Sequence, residues 1–292
     1  MTTNPPAAKV TVAVPVYNEA ELLRGTLETL RTQTFADIEV LIFDNASSDH
    51  TPEVAAEFVR ADARFRYFRQ TENRGALLNF YDSLLAARGQ YFMWRAADDR
   101  SAANYIETLA ARLDADASKS LAMGKVISAD LDGGNERVTP APSSTTGAAP
   151  FGAIAALRAS HASWIYGLFR REELTARMNI VMAEYAHPWG FDHLVLLPFI
   201  LDGTVAGSEE TIFRQVIKRR KSAPGEKRVR TKPDLGLMIS LREKFLARAR
   251  ADMAERFPPG FSRAVLATYM WAYAGKRVYK YRKVAQRKLT GR

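Results

Sequence analysis

Through the first hundred positions, short apolar runs alternate with segments of helical periodicity. Val10-Thr11-Val12-Ala13-Val14 is rich in β-branched residues and stops at Pro15, which predicts a strand. Over residues 19–34, Leu22, Leu23, Thr26, Leu27 and Leu30 share one face at helical spacing. Residues 38–43 predict a second strand, and Thr51-Pro52-Glu53 a helix start with Thr51 as N-cap and Pro52 at the first helical position. A shorter strand follows at 65–68. Residues 75–87 then predict a helix with Leu77, Leu78, Tyr81, Leu84 and Leu85 inward, and Gly89 lets the chain turn into Tyr91-Phe92-Met93-Trp94. The order is β-α-β-α-β-α-β. Strands separated by helices pair in parallel through right-handed crossovers, so this is an α/β chain with helices on both faces of a mostly parallel sheet.

Beyond residue 100 the pattern loosens. A helix is expected at 105–113, a strand at 121–127, a loop over 132–150, and helices at 154–158, 171–182 and 192–201. The run from Trp164 to Phe169 looks like core. Residues 218–232 are polar and strongly basic around Pro224-Gly225, and the expectation there is a mobile loop. Helical patterns return at 235–251 and 263–289, broken by Pro258-Pro259-Gly260, and no internal repeat is visible.

Composition narrows the class. With 292 residues, 47% hydrophobic and 25% charged, the chain can bury a full core. No apolar stretch approaches the length of a membrane span, and residues 1–8 lack a basic region followed by an apolar one, so the expectation is a cytoplasmic protein. The absence of cysteine excludes disulfides, thiolate nucleophiles and cysteine zinc sites. His50, His161, His187 and His193 show no close metal spacing. A net charge of +10 favours a polyanionic partner.

Ligands of open parallel α/β sheets bind beyond the carboxyl ends of the strands, and three polar clusters fall there. They are Tyr17-Asn18-Glu19, Asp44-Asn45 and Asp98-Asp99. Adjacent carboxylates without nearby cysteine or histidine suit Mg²⁺ or Mn²⁺ bound together with phosphates. The competing reading of Asp98-Asp99 is a solvated turn capping a helix that starts near Ala102.

Val14-Pro15-Val16-Tyr17-Asn18-Glu19, Asp44-Asn45-Ala46-Ser47-Ser48-Asp49-His50-Thr51, Asn73-Arg74-Gly75 with Asn79, and Ala97-Asp98-Asp99 together resemble the ordered signature of family 2 glycosyltransferases of the GT-A (Rossmann-like) fold. The match spans roughly the first 110 residues, and Trp189-Gly190-Phe191-Asp192 is similar to the segment that supplies that family's base. The resemblance implies an inverting transfer from a nucleotide-diphosphate sugar to a hydroxyl. Pro15, Tyr17, Glu19, Asp44, Asn73, Gly75 and Asp98 would bind the donor, Asp98 and Asp99 the Mg²⁺ or Mn²⁺, and Asp192 would be the catalytic base. There are departures. Ala96 stands where the family often has the first acid of an Asp-x-Asp motif, and Phe191 where a glutamate often precedes the base. Where many relatives carry a histidine, residues 214–220 have none, which makes Arg214 and Lys218 candidate clamps on the diphosphate. Asp192 could instead serve only as a helix N-cap. Trp189, beside it, is a candidate acceptor contact.

From Tyr269 onward aromatics interleave with basic residues: Trp271, Tyr273, Lys276, Arg277, Tyr279, Lys280, Tyr281, Arg282, Lys283, Arg287 and Lys288. Such a segment suits an anionic membrane surface, which would bring the enzyme to a lipid-linked or oligosaccharide acceptor; nucleic acid and plain packing are the alternatives. The expected organisation is a catalytic domain over 1–217, with a nucleotide-sugar half (1–110) and an acceptor half (111–217). A mobile basic loop (218–233) and a membrane-associating helical basic C-terminal extension (234–292) complete it. Competing functions are a nucleotidyltransferase-like enzyme and a non-catalytic nucleotide-sugar or nucleic-acid binding protein.

Overall fold

The computed structural model describes residues 7–143, 150–217 and 234–278, together with Ala285, Gln286 and Leu289. Three βα units and a fourth strand lead: β1 (Val10–Val16), α1 (Ala20–Arg31), β2 (Ile38–Asp44), α2 (Thr51–Ala61), β3 (Phe65–Arg69), α3 (Ala76–Leu85) and β4 (Tyr91–Trp94). All seven residues of β1 and all four of β4 are buried, the continuous apolar run demanded of a strand covered on both faces. The chain continues through β5 (Arg100–Ser101), α4 (Tyr105–Ala115), β6 (Leu121–Asp130), β7 (Arg137–Thr139), α5 (Pro150–Ala159), a 3₁₀ turn (Ala162–Tyr166), β8 (Leu168–Arg170), α6 (Arg171–Glu184), α7 (Phe191–Leu201) and β9 (Val205–Ile217). Two long helices, α8 (Leu235–Arg256) and α9 (Phe261–Arg277), follow.

Among the described residues, one sheet runs in the order β3-β2-β1-β4-β8-β6-β9-β5, with β7 on β6. Its first half is parallel, Val10 to Val16 registering with Ile38 to Asp44 and Val10 to Ala13 with Tyr91 to Trp94. The second half is mixed: β8 runs antiparallel to both β4 and β6, while β6 and β9 pair in parallel. Apolar residues of α8 and α9, including Phe245, Met270 and Tyr273, share one hydrophobic cluster with the sheet strands.

Three local expectations change. Thr51 is the first residue of α2 rather than its cap, because its hydroxyl is engaged by the Glu19 N–H. The stretch 132–150 contains β7, whose pairing with Val126 to Ser128 a short polar run does not announce. Residues 205–217 form a strand that continues through Arg214, where the sequence showed only basic character. The proposed loop 218–233 and the residues 279–284 of the basic tail lie outside the described residues.

A buried ionic cluster fixes α7. Pro198, inside that helix, has no N–H to offer the Leu194 carbonyl four residues back. Arg177 of α6 supplies the missing donor, its Nε 2.9 Å and its Nη2 2.5 Å from Leu194 O. The same guanidinium grips Asp252 of α8 through bonds of 2.9 and 2.6 Å, and Arg248 reaches Asp252 at 2.9 Å. One buried carboxylate thus joins α6, α7 and α8.

Candidate active site

The two loops that follow β1 and β2 are laced together. Asn18 N donates to Ser47 Oγ, Glu19 N to Thr51 Oγ1, Ala20 N to Asp49 Oδ2, and Ser48 N returns to Asn18 Oδ1, at 2.8 to 3.2 Å. Asp49 thereby takes a first-turn N–H of α1 from across the gap. Those backbone bonds and Thr51 draw its carboxyl below the usual range despite partial burial. The lacing presents Tyr17, 44% exposed, and Glu19 at the sheet's carboxyl edge, while Pro15 stays buried inside β1.

Asp44 is fully buried and its oxygens are engaged within the protein: Oδ1 accepts from Ser47 N at 2.9 Å and Oδ2 from Tyr67 OH at 2.6 Å. These bonds tie it to the loop that follows β2 and to β3. Asn45 is the next link, donating to Asn73 Oδ1 at 2.8 Å and accepting from Arg74 N at 2.9 Å. Asn73 Oδ1 also accepts from Gly75 N, at 2.9 Å. Gly75 has φ +84°, a conformation that suits glycine, and it opens α3 with exposed backbone. Asn79 anchors α3 to the Phe43 carbonyl at 2.8 Å, and its own Oδ1 is buried without a hydrogen-bond partner among the described residues.

Asp98 and Asp99 form a turn directly beyond β4 and do not cap α4, whose N-cap position is Asn104. The solvated-turn reading fails because Asp99 is only 2% exposed. Thr26 of α1 fixes this turn: its Oγ1 is 2.9 Å from both the Ala97 and the Asp99 carbonyl oxygens. Asp99 Oδ1 accepts from Val216 N at 2.8 Å, and Arg100 registers with Arg214, so β9 is held against the acidic turn. Arg214 is exposed on that strand, while Lys218 lies outside the described residues.

Asp192 sits in the first turn of α7, behind Gly190 at φ +86°. An aromatic chain sets its position: Phe191 meets Phe80 edge-on at 6.3 Å, and Phe80 packs on Trp94 of β4 at 5.6 Å. Burial pushes the Asp192 carboxyl above the usual carboxylate range, against the Arg277 guanidinium and the His193 N–H, which favour its charge. The N-cap position belongs to Gly190, although Asp192 Oδ1 does lie 2.9 Å from His193 N. Tyr166, half-buried in the 3₁₀ turn, stacks on Phe213 of β9 at 5.5 Å, and burial with the charges of Asp99, Asp98 and Asp192 raises its pKa. Trp189, 53% exposed, donates from Nε1 to Val278 O at 2.9 Å.

Several residues here carried no functional signal in the sequence. Arg95 is fully buried, its guanidinium 5.1 Å from the Tyr105 ring and 4.7 Å from that of Phe213, with Nη1 3.3 Å from Arg100 O. Its Nε has no hydrogen-bond partner among the described residues, and burial pulls it below the usual guanidinium value while the Asp99 charge opposes that. A lone cation at the end of an apolar strand was the available sign. Tyr166 was hidden within an apolar run, and the roles of His193, Tyr273 and Arg277 depend on packing between distant segments.

Residues 11–174, more than half of the chain, match the sequence profile of glycosyl transferase family 2. The chain belongs to this family. Among the relatives of this family 2 member, glycosyltransferase GlyA of Streptococcus pneumoniae is 37% identical over 101 residues, 35% of this chain and 14% of that protein. The GalNAc(5)-diNAcBac-PP-undecaprenol beta-1,3-glucosyltransferase of Campylobacter jejuni is 30% identical over 102 residues, 35% of this chain and 33% of that protein. The chain therefore aligns with a third or less of either relative. Solved structures extend the likeness over the whole fold. TarS 1-349 of S. aureus in complex with UDP-GlcNAc superposes with a TM-score of 0.66 at 15% identity, covering 97% of this chain and 76% of that one. The mannosyltransferase PcManGT from Pyrobaculum calidifontis, in complex with GDP-Man and Mn²⁺, gives 0.57 at 15% identity over 99% and 77%. The fold is GT-A, a mixed α/β sheet flanked by helices with two more helices at its C-terminal end.

Proposed function

We propose that this family 2 member transfers a sugar from a nucleotide-diphosphate sugar to a hydroxyl of a glycan or lipid-linked acceptor, with inversion. The observation that carries this reading is that the laced loops beyond β1 and β2 and the Asp98-Asp99 turn beyond β4 share one edge of the sheet, while Phe191, Phe80 and Trp94 tie the first turn of α7, with Asp192, to β4. Donor and base chemistry then lie at opposite ends of one site. Tyr17, Glu19, Asn73 and Gly75 line the donor side, with Pro15 and Asp44 holding the loops that present them.

Asp192 accepts the proton of the acceptor hydroxyl as its oxygen bonds to the anomeric carbon. The bond from that carbon to the diphosphate oxygen breaks on the opposite face, and a nucleoside diphosphate leaves. Burial suits Asp192 to this role, because a raised pKa makes it a better proton acceptor while leaving it ionised at higher pH. Negative charge builds on the departing diphosphate, and Arg214 and Lys218 are placed in this reading to meet it.

Mg²⁺ or Mn²⁺ is the expected cofactor. Among the described residues no three histidines, cysteines or acids cluster, yet two carboxylates match the protein's share where phosphates complete the shell. Asp98 and Asp99 would hold the ion, which when bound supplies Lewis-acid neutralisation of the leaving group.

The C. jejuni relative's name points to a polyprenyl-diphosphate-linked glycan, which supports a lipid-linked acceptor and a role in surface polysaccharide or glycolipid synthesis. No described helix is long and apolar enough to cross a membrane. Exposed Phe261 and Trp271 on α9, continuing into the basic residues beyond 278, support peripheral docking on the inner face of the cell membrane, with Trp189 facing the acceptor.

The test is a panel of nucleotide sugars with and without Mn²⁺. The matching donor raises the melting temperature, as any ligand of the folded state must, and turnover releases nucleoside diphosphate. Release of pyrophosphate would assign a nucleotidyltransferase, and salt-sensitive binding to random DNA without sugar transfer would refute the reading.

A further inference from the structure

The helix α9 begins almost seventy residues beyond Asp192, yet its last turns reach the surroundings of that carboxylate. Tyr273 is 3% exposed, and its hydroxyl is 3.1 Å from His193 Nδ1 and 3.4 Å from Ser160 Oγ. The Tyr273 and His193 rings meet edge-on at 5.7 Å. One turn later, Arg277 donates from Nη2 to Ser160 O at 3.1 Å and lies over the Tyr273 ring at 5.3 Å. Val278 then accepts the Trp189 indole N–H, and its side chain lies 3.3 Å from where a Cβ on Gly190 would stand. The end of α9 therefore meets the 189–193 segment at Trp189, Gly190 and His193.

We propose that Arg277 and Tyr273 are positioning residues for Asp192, so that α9 belongs to the base site. This rests on the assignment of Asp192 as base. The Ser160 carbonyl and the Tyr273 ring hold the guanidinium, so it acts on the carboxylate through its field and leaves Asp192 available to an acceptor. The groups facing Asp192 are few. His193 of α7 is neutral, pushed down to about 3 by burial and the Arg277 charge, and His161 is lowered for the same reasons. Tyr273 is a buried phenol and Tyr166 a half-buried one, and the charges of Asp98 and Asp99 act on Tyr166 as that of Asp192 does. Arg277 is thus the cation among them that favours ionised Asp192. Tyr273, by bonding His193 Nδ1, fixes the residue whose N–H lies 2.9 Å from Asp192 Oδ1.

The experiment measures kcat against pH for the full chain, for Arg277→Met, Arg277→Lys and Tyr273→Phe, and for Lys276→Met as a control, since Lys276 is the adjacent exposed cation. Loss of the Arg277 charge moves the acidic limb of the profile to higher pH, and lysine restores most of it. Tyr273→Phe lowers kcat several-fold with KM for the donor unchanged. Lys276→Met leaves the limb in place. An unmoved limb in Arg277→Met, or an equal shift in Lys276→Met, overturns the proposal. If Arg277→Met does not fold, the comparison of Arg277→Lys and Tyr273→Phe with the unaltered chain decides by the same limb and kcat. Asp192→Asn separates the two ideas: wild-type kcat there refutes the base assignment itself, whatever Arg277 does.

Discussion

Replacing Arg177 by methionine tests how the structure fixes the helix that carries Asp192. Methionine keeps much of the buried stem and removes the guanidinium. The Leu194 carbonyl, denied a helical donor by Pro198, then loses both of its bonds from Arg177. A buried carbonyl left unsatisfied costs about 1–3 kcal/mol. Asp252 loses its two-bond grip at 2.9 and 2.6 Å but retains Arg248 at 2.9 Å, so only part of the roughly 3–5 kcal/mol of a broken buried pair applies. The two contributions place the loss at about 3–5 kcal/mol. Equilibrium urea denaturation reads it as a lower midpoint at unchanged slope. Glu255→Gln is the contrast: it removes an exposed partner shared by Arg248 and Arg256 and should cost about 1 kcal/mol or less. A loss below about 1 kcal/mol for Arg177→Met would show that Leu194 and Asp252 find other partners and that the cluster does not fix α7.

Other outcomes follow from the same geometry. Thr26→Val removes the hydroxyl that reaches the Ala97 and Asp99 carbonyls, and should cost about 1–2 kcal/mol while weakening Mn²⁺-dependent donor binding; calorimetry with and without the ion checks both. His193→Gln changes acid stability. Below pH 6.5 the unfolded chain protonates His193 while the folded chain resists to about pH 3, so the wild type loses up to about 1.4 kcal/mol per pH unit across that window, a loss the variant lacks in pH-dependent denaturation. Asp192→Asn has the opposite sense: above the ordinary value of 3.8 the unfolded carboxyl ionises first, so wild-type stability falls relative to the variant as pH rises through the elevated folded value. At pH 7 the variant should be the more stable protein, and below pH 3.8 the advantage should vanish, as thermal melts across pH would record.

The parallel half of the fold was legible because β1, β2 and β4 are mostly apolar and buried along nearly their whole length, and β1 and β2 are each followed by a helix with one apolar face. The loop residues beyond those strands were legible for the same reason: a strand end in such a sheet is where ligands collect. β9 was not, since its burial alternates irregularly and its end is basic; it is a strand because it pairs with β6 along ten residues. Asp44 shows a different limit. Its place at the end of β2 was evident, but its enclosure by Ser47 and Tyr67 depends on the following loop and the neighbouring strand β3 meeting over it. The meeting of α9 with Asp192 had no local sign at all, because Tyr273 and Arg277 looked like part of an aromatic and basic stripe until α9 was placed against Ser160 and His193.

The most direct test of the central claim compares the full chain with Asp192→Asn for donor binding and for transfer. The account predicts unchanged affinity for the nucleotide sugar, with kcat reduced by about 10²–10⁴ and nucleoside diphosphate as the wild-type product. Turnover at the wild-type rate in Asp192→Asn, or loss of donor binding in step with turnover, would contradict it.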